Sequence, residues 1–434
     1  DVALDASSNQ WVLPAIADRA TALGDELDER LGQADDALAA LERLPGLLGS
    51  DGERVYFVAL TTPAEARGSI GFMGNWAELT ATDGAIEMTA FGRSDDLDDG
   101  GDPQHRTVTG MDEFLARYGA IGFSNGPNGS IGTDAWKLIT MSPDFPTVAE
   151  VIAQLYPQSG GRPIDGVLAI DTKVIATLLE FTGPVDVDGV DRSLTSNNAE
   201  QYLLIDQYVE FDDERDDRID ALEVLGRHVF DELLDGGLPE PIELGRRLAP
   251  LADSGHLAAW MLDAAEQELV VRAGIDRQLP DRAAGDGAVI AFNNGSAGKQ
   301  EVFLHADITY DRVLAADGGV AVEITIELAN DAPTGGLPSY VIGDGKVVPP
   351  GTNRLLVSAY TAFPVTVATL DGQPADVTTG TGERGWPVLD TTVDIPSGGT
   401  RTLVVRFAGQ PSAAEPEVLV PNLRYPVELA VTTR

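Results

Sequence analysis

The hydrophobic pattern of this 434-residue chain changes near Ala288, and this change constrains the fold more than any other feature. Before that point, apolar residues form both strand-like runs and helix-like stripes. After it, only short strand-like runs occur, separated by Gly, Pro, Asp and Asn. Several strands at such spacing without intervening helices are typical of a β-sandwich. The chain is also longer than the roughly 250–300 residues at which a single core stops growing. We therefore predict an α/β domain followed by an all-β sandwich domain.

Residues 1–50 carry a helical pattern. Apolar side chains recur every three or four positions from Ile16 to Leu44, with acidic residues between them, and Pro45-Gly46 interrupts the pattern. Such spacing is typical of an amphipathic helix, which proline terminates. We therefore predict an N-terminal amphipathic helix within residues 1–50, the α/β domain over residues 51–287 and the β-sandwich domain over residues 288–434.

Two local patterns support the α/β prediction. Asp83-Gly84 separates two strand-like runs and is typical of a two-residue hairpin turn. Further along, the apolar run 167–170 is followed by Asp171 as a candidate N-cap and by a helical stripe. Gly183-Pro184 ends that helix, and a second strand-like run follows at 185–187. Strand, helix and strand within about 25 residues indicate α/β construction.

The composition excludes several classes of function. Lys and Arg total 29 against 70 Asp and Glu, which gives a net charge of −41. Such a surface repels phosphodiester backbones, so we expect no nucleic-acid partner. The chain has no cysteine, which excludes disulfides and thiol catalysis, and its four histidines lack metal-ligand spacing. It also contains no run of about 18 apolar residues, the length of a membrane span.

Six short stretches carry a family resemblance. They are residues 63–67 with 71–75, 142–147, 164–171 and 182–185 in the predicted α/β domain, and 330–333 and 336–343 in the predicted sandwich. Through them the chain resembles the domain-of-unknown-function family 4012 of extracytoplasmic envelope proteins. The most specific motif is Ser-Pro-Asp-Phe-Pro at 142–146, in which we expect Asp144 to cap a helix. The resemblance implies an extracytoplasmic protein tethered to the cytoplasmic membrane through a flanking helix absent from this chain.

The order of charged motifs carries a second, weaker resemblance. Arg67 follows the first predicted core strand, Arg93 and Asp95 follow the hairpin, and Arg215 and Arg218 open a later helix. This order is similar to that of the LytR-CpsA-Psr fold, whose members transfer glycans from polyprenyl-pyrophosphate carriers to the cell wall. The sequence departs from that family where Gly68-Ser69-Ile70 replaces Ser-Asp-Thr and Gly92 replaces a proline.

This second resemblance implies a fold and a set of roles. It implies an α/β/α core with a mixed sheet, a polyprenyl-pyrophosphate-linked glycan as donor and a cell-wall polymer as acceptor. Asp95 would take the proton of the acceptor, and Mg²⁺ would be held by acidic side chains, Glu65 and Asp96 beside Asp95. The diphosphate would be bound by the four arginines, Arg67, Arg93, Arg215 and Arg218.

The chemistry of arginine gives a separate reason to expect phosphate binding by these four residues. A diphosphate requires planar, bidentate donors whose charge does not titrate, and guanidinium groups supply both. Arg215 and Arg218 share a helical face at a predicted N-terminus, where cations are unfavourable unless they meet an anion. The alternative is that each arginine pairs locally with an acid such as Glu65 or Asp95. The residues therefore leave three functions open: a glycan transferase, a non-catalytic envelope scaffold or lipid- or glycan-binding module, and a structural module that uses its sandwich for partner contacts.

Overall fold

The structure is a computed structural model that describes residues 42–68, 70–123, 131–211, 215–235, 241–282, 285–296, 298–410 and 415–434. Most of the amphipathic helix predicted within residues 1–50 lies outside these ranges, and residues 42–47 are helical. None of the described helices is both long enough and apolar enough to cross a membrane.

The first half of the chain is built on a five-stranded mixed sheet with the order β3-β2-β1-β4-β5. Its strands are β1 (Arg54–Thr62), β2 (Phe72–Thr82), β3 (Ala85–Arg93), β4 (Gly166–Asp171) and β5 (Leu257–Met261). β1 pairs with β4 in parallel, while the pairs β1–β2, β2–β3 and β4–β5 are antiparallel. The carboxyl ends of β1 and β4 therefore lie at the same edge of the sheet.

Helices cover both faces of this sheet because β1 is apolar on both sides. Phe57 packs into a core that includes the helix Phe145–Leu155. Val58 points to the opposite core, which includes the helix Thr172–Thr182. Strands that are buried on both faces require such a three-layer arrangement. The predicted α/β/α layering with a mixed sheet is confirmed.

The helices of the first half are mostly short. The α-helices are Ser94–Asp99, Asp112–Tyr118, Phe145–Leu155, Thr172–Thr182, Ala199–Gln201, Gln207–Glu210, Arg215–Asp235, Pro241–Asp253 and Ala264–Arg272. A π-helical segment covers Tyr202–Asp206, and 3₁₀ turns cover Gly119–Ile121, Ala135–Leu138 and Pro157–Ser159.

The structure confirms one local prediction and corrects another. Asp83 and Gly84 have φ values of 50° and 87° and form the predicted hairpin turn between β2 and β3. The strand predicted at 185–187 is not part of the sheet, since Val185 forms only an isolated bridge with Leu194. β4, the strand that precedes this segment, already has β1 and β5 as neighbours, so the segment cannot pair with β4. It is instead buried through Val185 and Val187 against the neighbouring helices.

The second half is a sandwich of two sheets. One sheet has the order β11-β10-β14-β8-β7-β16, and the other has the order β12-β13-β9-β6-β15. Along β8 buried residues alternate with more exposed ones, so that its apolar face points between the sheets. One short α-helix, Ser339–Ile342, and two 3₁₀ turns, Gln300–Phe303 and Glu383–Gly385, lie between strands. The strands are β6 (Ala288–Asn294), β7 (Leu304–Leu314), β8 (Val320–Asn330), β9 (Asn353–Thr361), β10 (Val365–Leu370), β11 (Gln373–Pro374), β12 (Thr378–Thr381), β13 (Pro387–Ile395), β14 (Thr400–Gly409), β15 (Val418–Leu419) and β16 (Glu428–Thr433).

Buried polar contacts join the two halves. Asp144 caps the helix Phe145–Leu155, as predicted, by accepting hydrogen bonds from the backbone N–H and the hydroxyl of Thr147. Its other oxygen accepts hydrogen bonds from the backbone of Leu279 and from Arg384 of the sandwich, both at 2.9 Å. The most specific family motif therefore serves both as a helix cap and as a link between the halves.

Replacing this linking carboxylate should destabilise the protein more than removing a helix cap alone. We expect Asp144→Ala to lower the free energy of unfolding by about 3 kcal/mol, because a cap is worth about 1 kcal/mol and buried donors also lose their acceptor. Asp263→Ala is the matched control, since Asp263 caps the helix Ala264–Arg272 at an exposed position. Urea denaturation of both variants measures the difference, and equal losses would contradict the linking role of Asp144.

Candidate functional site

A cavity of about 820 Å³ opens at the edge of the first sheet where β1 and β4 end. Thr62 closes β1 and Thr172 follows β4, and both line the cavity. Ligands of α/β proteins commonly bind outside the carboxyl ends of parallel strands, and this cavity has that position. The sandwich also contributes to its wall, through Lys299 and Tyr340. The cavity therefore lies between the two halves of the protein.

The segment 63–68 holds Arg67 at the cavity because it is docked on β6. The backbone N–H of Asn294 donates to the carbonyl of Ala66 at 2.8 Å, and the N–H of Gly68 donates to the side-chain oxygen of Asn293 at 3.0 Å. Gly68 has a φ of 52°, and a Cβ at this position would come within 2.4 Å of the carbonyl oxygen of Ser142. Only glycine fits this close approach, which explains its place next to Arg67.

Arg67, Glu65 and Lys299 form the first of two charged triplets in the cavity wall. The guanidinium of Arg67 donates to Glu65 at 2.8 Å and to the carbonyl of Asn294 at 3.2 Å. The Lys299 ammonium, only 4% exposed, lies 3.5 Å from the other carboxylate oxygen of Glu65. Burial lowers the pKa of Lys299, but Tyr208, Tyr340 and Glu65 raise it, and the net result lies above the usual value. Lys299 therefore stays charged.

Arg93, Asp95 and Lys137 form the second triplet. One carboxylate oxygen of Asp95 accepts a hydrogen bond from Arg93 at 3.4 Å, and the other lies 2.9 Å from the Lys137 ammonium. Lys137 also pairs with Asp134 at 3.0 Å. The hydrogen bond to Asp95 raises the pKa of Lys137, although partial burial opposes it. Asp95 therefore has a cation on each side.

The two triplets make this cavity less acidic than the rest of the protein. Four basic side chains in its wall face three acidic ones, Glu65, Asp95 and Asp134, whereas the whole chain carries a net charge of −41. Glu65 and Asp95 each hold two cations in place, so an incoming anion meets groups that are already oriented. The arrangement is suited to binding an anion of more than one charge.

Unsatisfied hydrogen-bond donors lie in the same wall. Three cavity-lining residues have a buried polar atom without a hydrogen-bond partner in the part of the chain that the structure describes: Nε of Arg67, Nδ2 of Asn75 and Oγ1 of Thr172. Two of these atoms only donate, and the third donates or accepts. An unpaired buried donor costs about 1–3 kcal/mol, so a ligand oxygen that reached one of these atoms would remove that cost.

Thr172 is held in place by a buried network behind the cavity. Asp171, the predicted N-cap, accepts hydrogen bonds from the backbone of Lys173 and Val174, which fixes the start of the helix Thr172–Thr182. Its second oxygen lies 2.6 Å from Nδ1 of His256 and accepts a hydrogen bond from Asn422 at 3.0 Å. Asn422 comes from the C-terminal region, so both halves fix the position of Thr172.

The predicted magnesium ligands are placed in separate environments. The carboxylate of Asp96 accepts a hydrogen bond from the backbone N–H of Arg93 at 2.7 Å and caps the helix Ser94–Asp99. Glu65 lies between Arg67 and Lys299. Among the described residues no group of three or more His, Asp or Glu side chains is suited to hold a metal. Mg²⁺ can be bound by one or two carboxylates with phosphate oxygens, so the magnesium site stays a prediction.

Two of the four predicted arginines, Arg67 and Arg93, line the cavity together with Glu65 and Asp95. Arg215 and Arg218 lie in the helix Arg215–Asp235, but their side chains are outside the described residues. Sequence reasoning missed further residues of the wall, among them Lys137, Thr172, Tyr208, Lys299 and Tyr340. A signal was present only for Tyr340, which lies inside the resembling stretch 336–343.

A buried carboxyl group supports the loop behind the first triplet. Glu301 accepts hydrogen bonds from Asn294 and from the backbone N–H of Ala66. Burial raises the pKa of Glu301 to about 7, even though these hydrogen bonds act in the opposite direction. Near neutral pH this group therefore titrates next to the loop that carries Arg67.

Comparison with known proteins gives one family match. The sequence profile described as "Protein of unknown function (DUF4012)" matches residues 51–208. No curated protein matches the chain. Solved structures similar to the chain include Lin1025 of Listeria innocua (13% identity, 52% of this chain, 81% of that chain, TM-score 0.25), Lmo1026 of Listeria monocytogenes (14%, 55%, 84%, 0.24) and lpg2210 of Legionella pneumophila (6%, 29%, 44%, 0.21). All three have low identity and low TM-scores, so they carry no argument about function.

The pKa of Glu301 predicts a pH-dependent stability. Between its ordinary value of 4.5 and about 7, the folded protein keeps a proton that the unfolded chain has lost. The stabilisation is therefore complete below about pH 4.5 and lost as the pH rises through about 7. We expect Glu301→Gln, which mimics the protonated form, to reduce this decline in the free energy of unfolding by about 1–3 kcal/mol.

Denaturation midpoints between pH 5 and pH 8 test this expectation. Glu327→Gln is the control, because Glu327 is exposed on strand β8. Asp98, whose pKa burial also raises to about 7, contributes its own decline in every variant. If the free energy of unfolding of Glu301→Gln declines with pH as steeply as that of the wild type, Glu301 is ionised throughout this range.

Proposed function

We propose, from the match of residues 51–208 to the DUF4012 family and from the geometry of the cavity, that the protein binds the diphosphate of a polyprenyl-linked glycan donor. We further propose that it transfers this glycan to a cell-wall polymer, outside the cytoplasmic membrane and tethered to it. The family match itself leaves the activity open, so the proposal rests on the chemistry of the site.

The observation that carries the proposal is the convergence of four cations on one cavity of a strongly acidic protein. Arg67 and Lys299 share Glu65, and Arg93 and Lys137 share Asp95. Like charge over the rest of the surface would repel an anion, so only a grouped set of basic side chains can retain one. Two such groups in one cavity suit the two phosphates of a diphosphate.

The remaining wall suits the other parts of such a donor. Apolar side chains, Phe72, Ile121, Leu138 and Leu203, line the cavity beside the charged triplets, and Ile121 is largely exposed. Pockets that combine apolar surface with a few convergent polar groups are typical of small-molecule sites. A prenyl chain requires the apolar surface, and a glycan requires the polar groups.

In the transfer reaction, positioning and charge would supply most of the rate. An acceptor hydroxyl oxygen would form a bond to the phosphorus that carries the glycan, while the bond from that phosphorus to the bridging oxygen breaks. Asp95 would take the hydroxyl proton, and the prenyl monophosphate would leave. The cations of the two triplets would stabilise the negative charge on the leaving phosphate.

One observation favours the non-catalytic alternative, in which the protein binds the donor as an envelope scaffold. Asp95 lies between Arg93 and Lys137, and these two cations stabilise its charged form. Such a carboxylate is fully accounted for by holding the two cations in place, a role that requires no proton transfer. Binding and transfer therefore need separate tests.

The binding proposal predicts a loss of affinity on removal of Arg93. We expect Arg93→Ala to weaken binding of farnesyl diphosphate about tenfold or more, since a charge-assisted hydrogen bond contributes about 1.5–3 kcal/mol. Arg246→Ala is the control, because Arg246 is 67% exposed outside the cavity and its removal changes the net charge equally. Calorimetric titration gives both affinities. Wild-type affinity in Arg93→Ala would exclude Arg93 from the site, and Arg215→Ala tests the helix Arg215–Asp235 in the same way.

The transfer proposal predicts a different effect at Asp95. In Asp95→Asn the affinity for a farnesyl-diphosphate-linked glycan should be retained or increased, because a negative charge is removed beside the phosphates. Turnover with a cell-wall acceptor should fall about 100-fold or more, the usual contribution of a general base. If the wild-type protein binds this donor without any turnover, the scaffold alternative replaces the transferase.

A further inference from the structure

Three aromatic rings surround the Lys299 ammonium in the cavity wall. Its nitrogen lies 5.5 Å from the ring centre of Phe72, 5.8 Å from that of Tyr208 and 5.4 Å from that of Tyr340. An ammonium within about 6 Å of an aromatic face is attracted by the ring, and the attraction grows when the cation is desolvated. The rings and the ammonium therefore hold one another in place.

Tyr208 and Tyr340 form a surface that the two halves of the protein build together. Tyr208 comes from the helix Gln207–Glu210 of the first half, and Tyr340 comes from the helix Ser339–Ile342 of the sandwich. Their ring centres are 5.2 Å apart and the rings are inclined at 42°. Tyr340 is 48% exposed and lines the cavity, so part of its ring is open to a ligand.

We infer that this tyrosine pair is the platform for a pyranose ring of the ligand, next to the diphosphate position at the triplets. The inference rests on the proposed function and adds a sugar-binding role for the sandwich half. The axial C–H groups of a pyranose carry partial positive charge and pack against the electron-rich face of an aromatic ring. Lys299 fixes the platform and belongs to the first triplet, so it places sugar and phosphate side by side.

The surroundings of the platform favour a sugar over other stacking ligands. The two rings pack against each other at 42° with their centres 5.2 Å apart, so a planar base cannot insert between them. A prenyl chain would not use the buried Nδ2 donor of Asn75 or the carboxylate of Asp134 in the same wall. Sugar hydroxyl groups both donate and accept, so they can satisfy an amide and a carboxylate together.

The experiment compares ligands with and without a sugar by calorimetric titration. The probes are farnesyl diphosphate, farnesyl-diphosphoryl N-acetylglucosamine and farnesyl-diphosphoryl glucose. We expect wild-type protein to bind the sugar-bearing probes more tightly than farnesyl diphosphate. Tyr340→Ala should weaken binding of the sugar-bearing probes about three- to tenfold more than it weakens binding of farnesyl diphosphate, because only the sugar-bearing probes lose an aromatic contact.

Variants of the same region supply the controls. Tyr340→Phe keeps the ring and should bind all probes like the wild type, while Tyr208→Ala should repeat the selective loss. Val347→Ala removes an exposed apolar side chain from the loop that follows Tyr340 and should have no effect. Circular dichroism of each variant checks that the fold is kept.

The results separate this inference from the proposed function. If farnesyl diphosphate binds but the sugars add nothing, or if Tyr340→Ala weakens all three probes equally, the platform is overturned and the diphosphate site stands. If farnesyl diphosphate does not bind while the sugar-bearing probes bind in a Tyr340-dependent way, the diphosphate site fails and the platform stands. Absence of binding by all three probes overturns both.

Discussion

The docking of residues 63–68 on strand β6 is the interaction on which the site depends. The backbone of this segment exchanges hydrogen bonds with Asn293 and Asn294, and Glu301 accepts from Ala66 behind it. Ala66 itself belongs to the apolar core of the sandwich. Without this contact, Arg67 would be a flexible side chain on an exposed loop, and Lys299 would have no carboxylate partner. Both the shape and the charge of the cavity therefore follow from the way in which the two halves meet.

Charge pairing in the cavity orients its basic side chains. Glu65 and Asp95 each hold two cations, and the partly exposed pairs of Asp95 contribute little to stability. Their effect is to orient donors before a ligand arrives, which reduces the ordering cost of binding. The acidic surroundings then act against any anion that cannot reach both groups. Acidity over the surface and basicity in the cavity are parts of one electrostatic arrangement.

The sequence predicted the parts of the fold that depend on local pattern. The strand-like runs after Ala288 correspond to strands of the sandwich, the apolar run 167–170 lies within β4, and Asp144 and Asp171 were recognised as helix caps. The segment 185–187 was misassigned, because a short apolar run can pack against helices as well as in a sheet. β5 was missed, since its burial depends on pairing with β4, which is distant in the chain.

The site was predictable only where its residues lie near one another in the chain or in a motif. Glu65, Arg67, Arg93 and Asp95 fall within 31 positions and reach one cavity. Lys299 lies 234 positions from Glu65, and no local pattern indicates that the two meet. Asp96 lies next to Asp95 in the chain, yet its carboxylate caps the start of the helix Ser94–Asp99. Contacts between distant segments are fixed by the packing of the two halves, which periodicity and spacing do not encode.

The family match covers only part of the chain that forms the cavity wall. The match ends at residue 208, whereas Lys299 and Tyr340 lie beyond it, in the sandwich. One segment of the gene thus encodes Arg67, Arg93 and Asp95, and another encodes Lys299 and Tyr340, which lie in the same cavity wall. A substitution in the second segment can therefore change the cavity wall while the segment that the family profile matches stays the same.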